Sequence, residues 1–222
     1  MQAKEKCLWT IIAFFAILIG LYPIGYSFDV FRQNSLLRSK AWELLTSSVY
    51  MTAFYTHISS GGVSLLTGWS QFIRSWRNKH PTFHRYLGYI YVLAVFTSSI
   101  TGFIIAFFST GGVVGVFGFG SLAVVWLTTI LFAFTKIKQG KIKEHEKWMM
   151  RNYTLTFSAV TLRIYLPITI LCGCTIEQAL MIVSWLCWVP TAVGMEIYIQ
   201  SKSRGGSEAK QNQIDPFLGM GP

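Results

Sequence analysis

Residues 143–167 read KEHEKWMMRNYTLTFSAVTLRIYLP, charged at the start and apolar beyond it. With neither Pro nor Gly before Pro167, the stretch predicts one helix that begins outside a membrane, enters it, and is disturbed at Pro167. His145 and Arg163 stand 18 residues apart, five whole turns, and Met149, Asn152 and Thr156 fall close to the same stripe. One face of this helix is therefore polar along its length.

The rest of the chain supports a bilayer around that helix. Of 222 residues 52% are hydrophobic and only 13% charged, and mean hydropathy is +0.46, whereas soluble domains carry about 25% charged residues. A span needs about 20 apolar residues, and six segments qualify: Leu8–Phe28, Leu45–Ile73, Tyr86–Phe108, Val113–Thr135, Tyr153–Cys172 and Ala179–Ile199. The first is too long for a signal-peptide core and lacks a small-residue cleavage pattern, so it is expected as a retained anchor. The fold expected is an all-α membrane protein, a bundle of six transmembrane helices in one domain over 1–199, with a polar, disordered tail over 200–222.

Lys and Arg set the expected orientation. One side collects Lys4 and Lys6, then Arg74 to Arg85, then Lys136 to Arg151, then the basic residues of the tail. The other side holds only Arg32, Arg38 and Lys40. Both termini are thereby placed in the cytoplasm, in a multi-pass protein of the plasma membrane. The net charge of +10 reads as topology and attraction to lipid headgroups, with no need of nucleic acid. Cys172 and Cys174 flank one glycine, too close for an unstrained bridge, and the cysteines read as small apolar filler.

Two further spans carry stripes. In the second, His57, Gly61, Ser64, Gly68 and Gln71 recur at helical spacing; in the third, Pro81 opens a helix on which His84, Gly88, Tyr91, Ser98 and Gly102 share a face. Counting inward, His84 and His145 lie at one depth near the cytoplasmic surface, and His57 lies deep, at a level comparable with Arg163. Facing imidazoles in a bundle suit axial ligation of a b-type haem, so His84 and His145 are candidate metal ligands, with Arg85 and Arg151 beside them for anionic groups. Contact of the two histidines with headgroups and water is the plainer alternative. An ionisable side chain deep in a span marks a functional site by default. His57 and Arg163 are therefore candidate catalytic or transport residues, with Glu196 the acid within reach of Arg163. Motifs for zinc, covalent haem, serine hydrolysis and nucleotide binding are missing.

The landmarks H57…G68WSQF72, H84RYLGYIY91 and H145EKWMMRNYTLTFSAVTLRIYLP167 resemble the bacterial family catalogued as domain of unknown function 2306, over about Tyr50 to Glu196. The resemblance implies signature positions at His57, Gln71, His84, Arg85, Gly88, Tyr91, His145, Trp148, Met149, Arg151, Arg163 and Glu196. It carries no established activity. The histidines at helix ends are more distantly similar to cytochrome b561 and ferric-reductase-like electron carriers, which hold two histidine pairs where this chain supplies one. Two functions follow: a haem b redox protein exchanging electrons with quinone or a cytoplasmic partner, or a cofactor-free carrier or proton-coupled permease using His57, Arg163 and Glu196. A non-catalytic assembly protein is the third.

Overall fold

The computed structural model describes residues 3–25 and 40–214; Arg32, Arg38 and the last eight residues of the tail lie outside that range. The described chain is helical, with no strand among those residues. Its helices are α1 (Ala3–Gly20), α2 (Tyr22–Gly25), α3 (Trp42–Thr46), α4 (Ser48–Gly68), α5 (Arg74–Lys79), α6 (Pro81–Ala106), α7 (Gly112–Lys138), α8 (Ile142–Thr156), α9 (Ser158–Leu171), α10 (Ile176–Leu186) and α11 (Val189–Ile214). A 3-10 turn, Trp69–Phe72, extends α4.

Among the described residues five stretches are long and apolar enough to cross a bilayer: Cys7–Gly25, Pro81–Ala106, Gly112–Lys138, Ile142–Leu171 and Ile176–Arg204. The expected second span, Leu45–Ile73, is not among them. Its helix α4 has the length, 21 residues, but His57 and the neighbouring Ser, Thr and Gly residues lower its hydropathy. The same residues that made its stripe conspicuous dilute its apolar signal.

The opening stretch departs from a single helix ending at Pro167. A turn at Phe157 separates α8 from α9, and Pro167 lies inside α9, which continues to Leu171. Thr156 donates to the Asn152 carbonyl and Thr161 to the Ser158 carbonyl, and hydroxyls turned back on their own helix bend it. Pro190, near the start of α11, follows a similar turn at Cys187–Trp188. Reversals elsewhere use glycine: Gly140 (φ +72°) ends α7 and Gly173 (φ +92°) ends α9, each with a following N–H reaching back five residues. Cys172 is exposed and only Cys187 is buried, so apolar filler describes the latter alone.

The core is an antiparallel pairing of α4 with α6, then of α6 with α7 and α7 with α8, so α6 and α8 run parallel. The two expected stripes interlock: Gly61 lies against Ser98, Gly68 against Tyr91 and Tyr153, and Gly88 against Gln71. Bulky residues such as Leu93, Phe117 and Ile168 are left exposed on the outside of the bundle, where lipid covers them. At the end away from the basic loops, Lys40 donates to the Phe108 carbonyl, and burial pushes its ammonium below the usual lysine pKa.

Small residues also set the distance of α1. A Cβ on Gly62 would stand 2.6 Å from the Gly20 carbonyl oxygen and 3.0 Å from Pro23. Because the first obstacle is backbone, no rotamer change relieves it. Gly62→Ala is expected to lower the unfolding midpoint in detergent by roughly 5 °C. Gly194→Ala, whose site has nothing within 4 Å, should leave it unchanged, and equal melting of the two variants would contradict the close crossing.

Candidate functional site

At the centre of the bundle lies a polar network from α6, α7 and α8. Asn152, fully buried, donates through Nδ2 to the Trp126 carbonyl (2.9 Å) and the Thr129 hydroxyl (2.8 Å), and accepts from the Tyr91 hydroxyl at 2.6 Å. Thr156 lies 2.8 Å from the Tyr91 hydroxyl and accepts from Trp126 Nε1 at 2.9 Å. Asn152, Thr156 and Tyr91 stood on the expected stripes. Trp126 and Thr129 did not, because α7 looks uniformly apolar and only their spacing of three marks a shared face.

This network fixes the level of the two outer histidines. Tyr91 and Asn152 each lie seven residues, two turns, beyond His84 and His145. With α6 and α8 parallel, the histidines come to the same end of the bundle, close enough to interact electrostatically. His145 Nδ1 lies 2.9 Å from the Ala133 carbonyl oxygen. A carbonyl only accepts, so Nδ1 carries the proton and Nε2 keeps its lone pair in the neutral ring. His84 makes no side-chain hydrogen bond to any described residue. The backbones of α6 and α8 hardly approach each other, and side chains bridge the space between them.

His57 is half-buried on α4, with Nδ1 2.8 Å from the Ser98 carbonyl oxygen. Ser98 in turn donates to the His57 carbonyl at 3.0 Å. Its ring fills the place of a side chain on Gly102, 2.8 Å from where that Cβ would be. Arg163 is within electrostatic range of it; it donates to the Ala159 carbonyl at 2.8 Å and its guanidinium lies 4.7 Å over the Tyr22 ring. The two deep candidates thus share one region, separate from His84 and His145.

The expected acid for Arg163 is elsewhere. Glu196 takes a two-pronged bond from Arg151, 2.7 Å from Nε and 3.1 Å from Nη2, while Arg151 also stacks 4.6 Å from the Trp148 ring. Arg151 precedes Arg163 by more than three turns, about 18 Å along a helix, and Glu196 is level with the former. A second ion pair, Arg77 with Glu146 at 2.7 Å, ties α5 to α8. Arg85 is exposed beside His84. Among the described residues no three His, Cys, Asp or Glu side chains gather as a metal site; haem would ask for two.

A bundle of long apolar helices around a polar network, with the Ser99 and Tyr153 hydroxyls buried beside it without a partner among the described residues, defines an integral, multi-pass membrane protein. The chain belongs to the family described as predicted membrane protein, domain of unknown function 2306 (DUF2306), which matches residues 54–199. That stretch takes in the core pairing and every candidate residue named above. Comparison with curated proteins and with solved structures finds no match, and the cytochrome b561 likeness is not shown by any of the comparisons.

The hydrogen bond between Tyr91 and Asn152 predicts energetic coupling. In a double-mutant cycle of Tyr91→Phe and Asn152→Leu, the two losses of stability should fall short of or exceed additivity by roughly 0.5–2 kcal/mol. Strict additivity in detergent unfolding would show that the two groups do not act together.

Proposed function

We propose that the chain is a six-span redox protein of the plasma membrane, both termini cytoplasmic, that holds one b-type haem between His84 and His145 near the inner leaflet. The observation that carries this reading is the level: Tyr91 and Asn152 register α6 against α8, and two turns earlier each helix offers an imidazole. Two features of the residues fit the group. His145 has its Nδ1 proton tied to a backbone carbonyl, the outer bond metal-ligating histidines usually make. Arg85 is exposed and open to a propionate. Arg151 is withdrawn from that role by Glu196 and Trp148. Bound there, haem would supply one-electron transfer.

The sixth span is α4, whose polar stripe is turned inward against α6 and so need not meet lipid. His57 and Arg163 form the deeper polar cluster, which we assign to handling protons. The carrier alternative is weakened by the position of Glu196, since the three residues it needs do not come together.

The test is an absorption spectrum of the purified protein, oxidised and then reduced with dithionite, with haem quantified against protein. The expected result is haem near one per chain with sharp α and β bands, and loss of more than half of it in both His84→Ala and His145→Ala. A featureless visible spectrum from protein expressed with ample haem, or unchanged haem in both variants, would end this reading.

A further inference from the structure

The carboxylates described at the basic end are all committed to α5, α8 and α11: Glu144 pairs with Lys147, Glu146 with Arg77 and Glu196 with Arg151. Lys136, Lys138, Lys141 and Lys143, from the last turn of α7 to the first of α8, form no ion pair with a described carboxylate. Their charge is uncompensated. One of the four is also held in place. Lys138, exposed at the end of its span, lays its ammonium 5.7 Å from the centre of the Tyr89 ring and 5.3 Å from that of Phe134, and the two rings meet edge to face at 6.4 Å. Phe134 lies one turn before Lys138 on α7, whereas Tyr89 comes from the antiparallel α6, so the cation sits at the mouth of the seam between the two helices. A ring face attracts a cation at this range but supplies no oxygen to its N–H donors. Tyr86, three residues before Tyr89 and on the same face of α6, is exposed as Tyr89 is. Deeper in the membrane, exposed Leu93 and Phe96 continue the face of Tyr89, and exposed Leu131 continues that of Phe134.

We propose that this seam binds an anionic phospholipid of the leaflet on the basic side, its phosphate on the Lys138 ammonium and the Tyr86 and Tyr89 hydroxyls, its chains along Leu93, Phe96 and Leu131. Charge selects the class. A zwitterionic headgroup brings its own ammonium to balance its phosphate, and that ammonium would meet Lys136, Lys141 and Lys143; a headgroup with net negative charge is complementary to all four lysines. Position selects a lipid over a soluble anion. Tyr and Lys at the end of a span stand at headgroup depth, and the exposed apolar faces directly beyond them give the chains a place that free phosphate would leave unused. The rings distinguish Lys138 from its three neighbours, because an ammonium already held against two aromatic faces loses less freedom when a phosphate binds. The diffuse pull of a basic loop on headgroups is thereby concentrated at one lysine. This site stands apart from His84 and His145 and does not rest on the redox reading.

The experiment is thermal unfolding of the purified full chain in detergent, titrated with dioleoylphosphatidylglycerol, with dioleoylphosphatidylcholine and sodium phosphate as the two controls. A saturable rise in melting temperature is expected with phosphatidylglycerol alone. Lys138→Gln should weaken the apparent affinity about fivefold, whereas Lys143→Gln, which removes an exposed lysine with no ring beneath it, should weaken it distinctly less. Lys138→Arg keeps the charge and the stacking and should bind as the wild type does. A second readout needs no variant: in the wild-type protein phosphatidylglycerol should slow acetylation of Lys138 by acetic anhydride more than that of Lys143, followed by peptide mass spectrometry. Equal stabilisation by phosphatidylcholine would remove the selection for charge, and equal stabilisation by inorganic phosphate would make this a soluble-anion site. Equal losses in Lys138→Gln and Lys143→Gln, or equal protection of the two lysines, would reduce it to diffuse attraction by the whole loop. Any of these results would overturn the proposal.

Discussion

A bilayer offers no water to a polar group, so each one carried into it must be satisfied within the bundle or cost several kcal/mol. The bond from the Tyr91 hydroxyl to Asn152 is where this chain meets that requirement most completely. Asn152 spends its remaining donors on Trp126 and Thr129, and Thr156 collects Tyr91 and Trp126. Three helices are thereby held in one register. A slip of either α6 or α8 by a turn would strand an amide and a phenol in an apolar core, which is a stronger constraint on level than any packing of Leu or Val.

Glycine does the corresponding work between α4 and α6. Gly61, Gly68, Gly88 and Gly102 each lie opposite a larger partner: Ser98, Tyr91, Gln71 and His57. Close approach, and the placing of polar side chains in the seam, come from one alternation. It leaves two polar regions, a deep one with His57 and Arg163 and a shallow one with His84, His145 and Gln71, separated by the network around Asn152. Ion pairs at the basic end, Arg77 with Glu146 and Arg151 with Glu196, clamp the helices that carry the shallow region.

Much of this was legible in the residues because membrane helices write their interiors in small and polar side chains. The stripes through His57 and Gln71 and through His84 and Tyr91 predicted which faces meet. Helix spacing also put His84 and His145 at corresponding positions, each two turns before a member of the central network. What escaped was set in three dimensions. Glu196 could be matched to Arg151 instead of Arg163 only once the level of α11 beside α8 was known. Trp126, Thr129 and the Ala133 carbonyl lie on a helix whose composition looks wholly apolar. The turn at Phe157 has no Pro or Gly to announce it; Thr156 and Thr161 bond back to their own helix on either side of it. Conversely, α4 was legible as a helix but weak as a span, since its interior stripe subtracts from the hydropathy by which spans are recognised.

The claim on which the functional reading rests is that the Asn152 network holds His84 and His145 at one level. The most direct measurement is pairwise cross-linking in a cysteine-free background, with His84→Cys combined in turn with His145→Cys, Lys141→Cys and Met149→Cys, using a short thiol-specific linker in membranes. The account predicts that the pair at 84 and 145 cross-links fastest and the pairs one turn away more slowly. Preference for 84 with 141 or with 149 would show a different register of α6 against α8 and would contradict it.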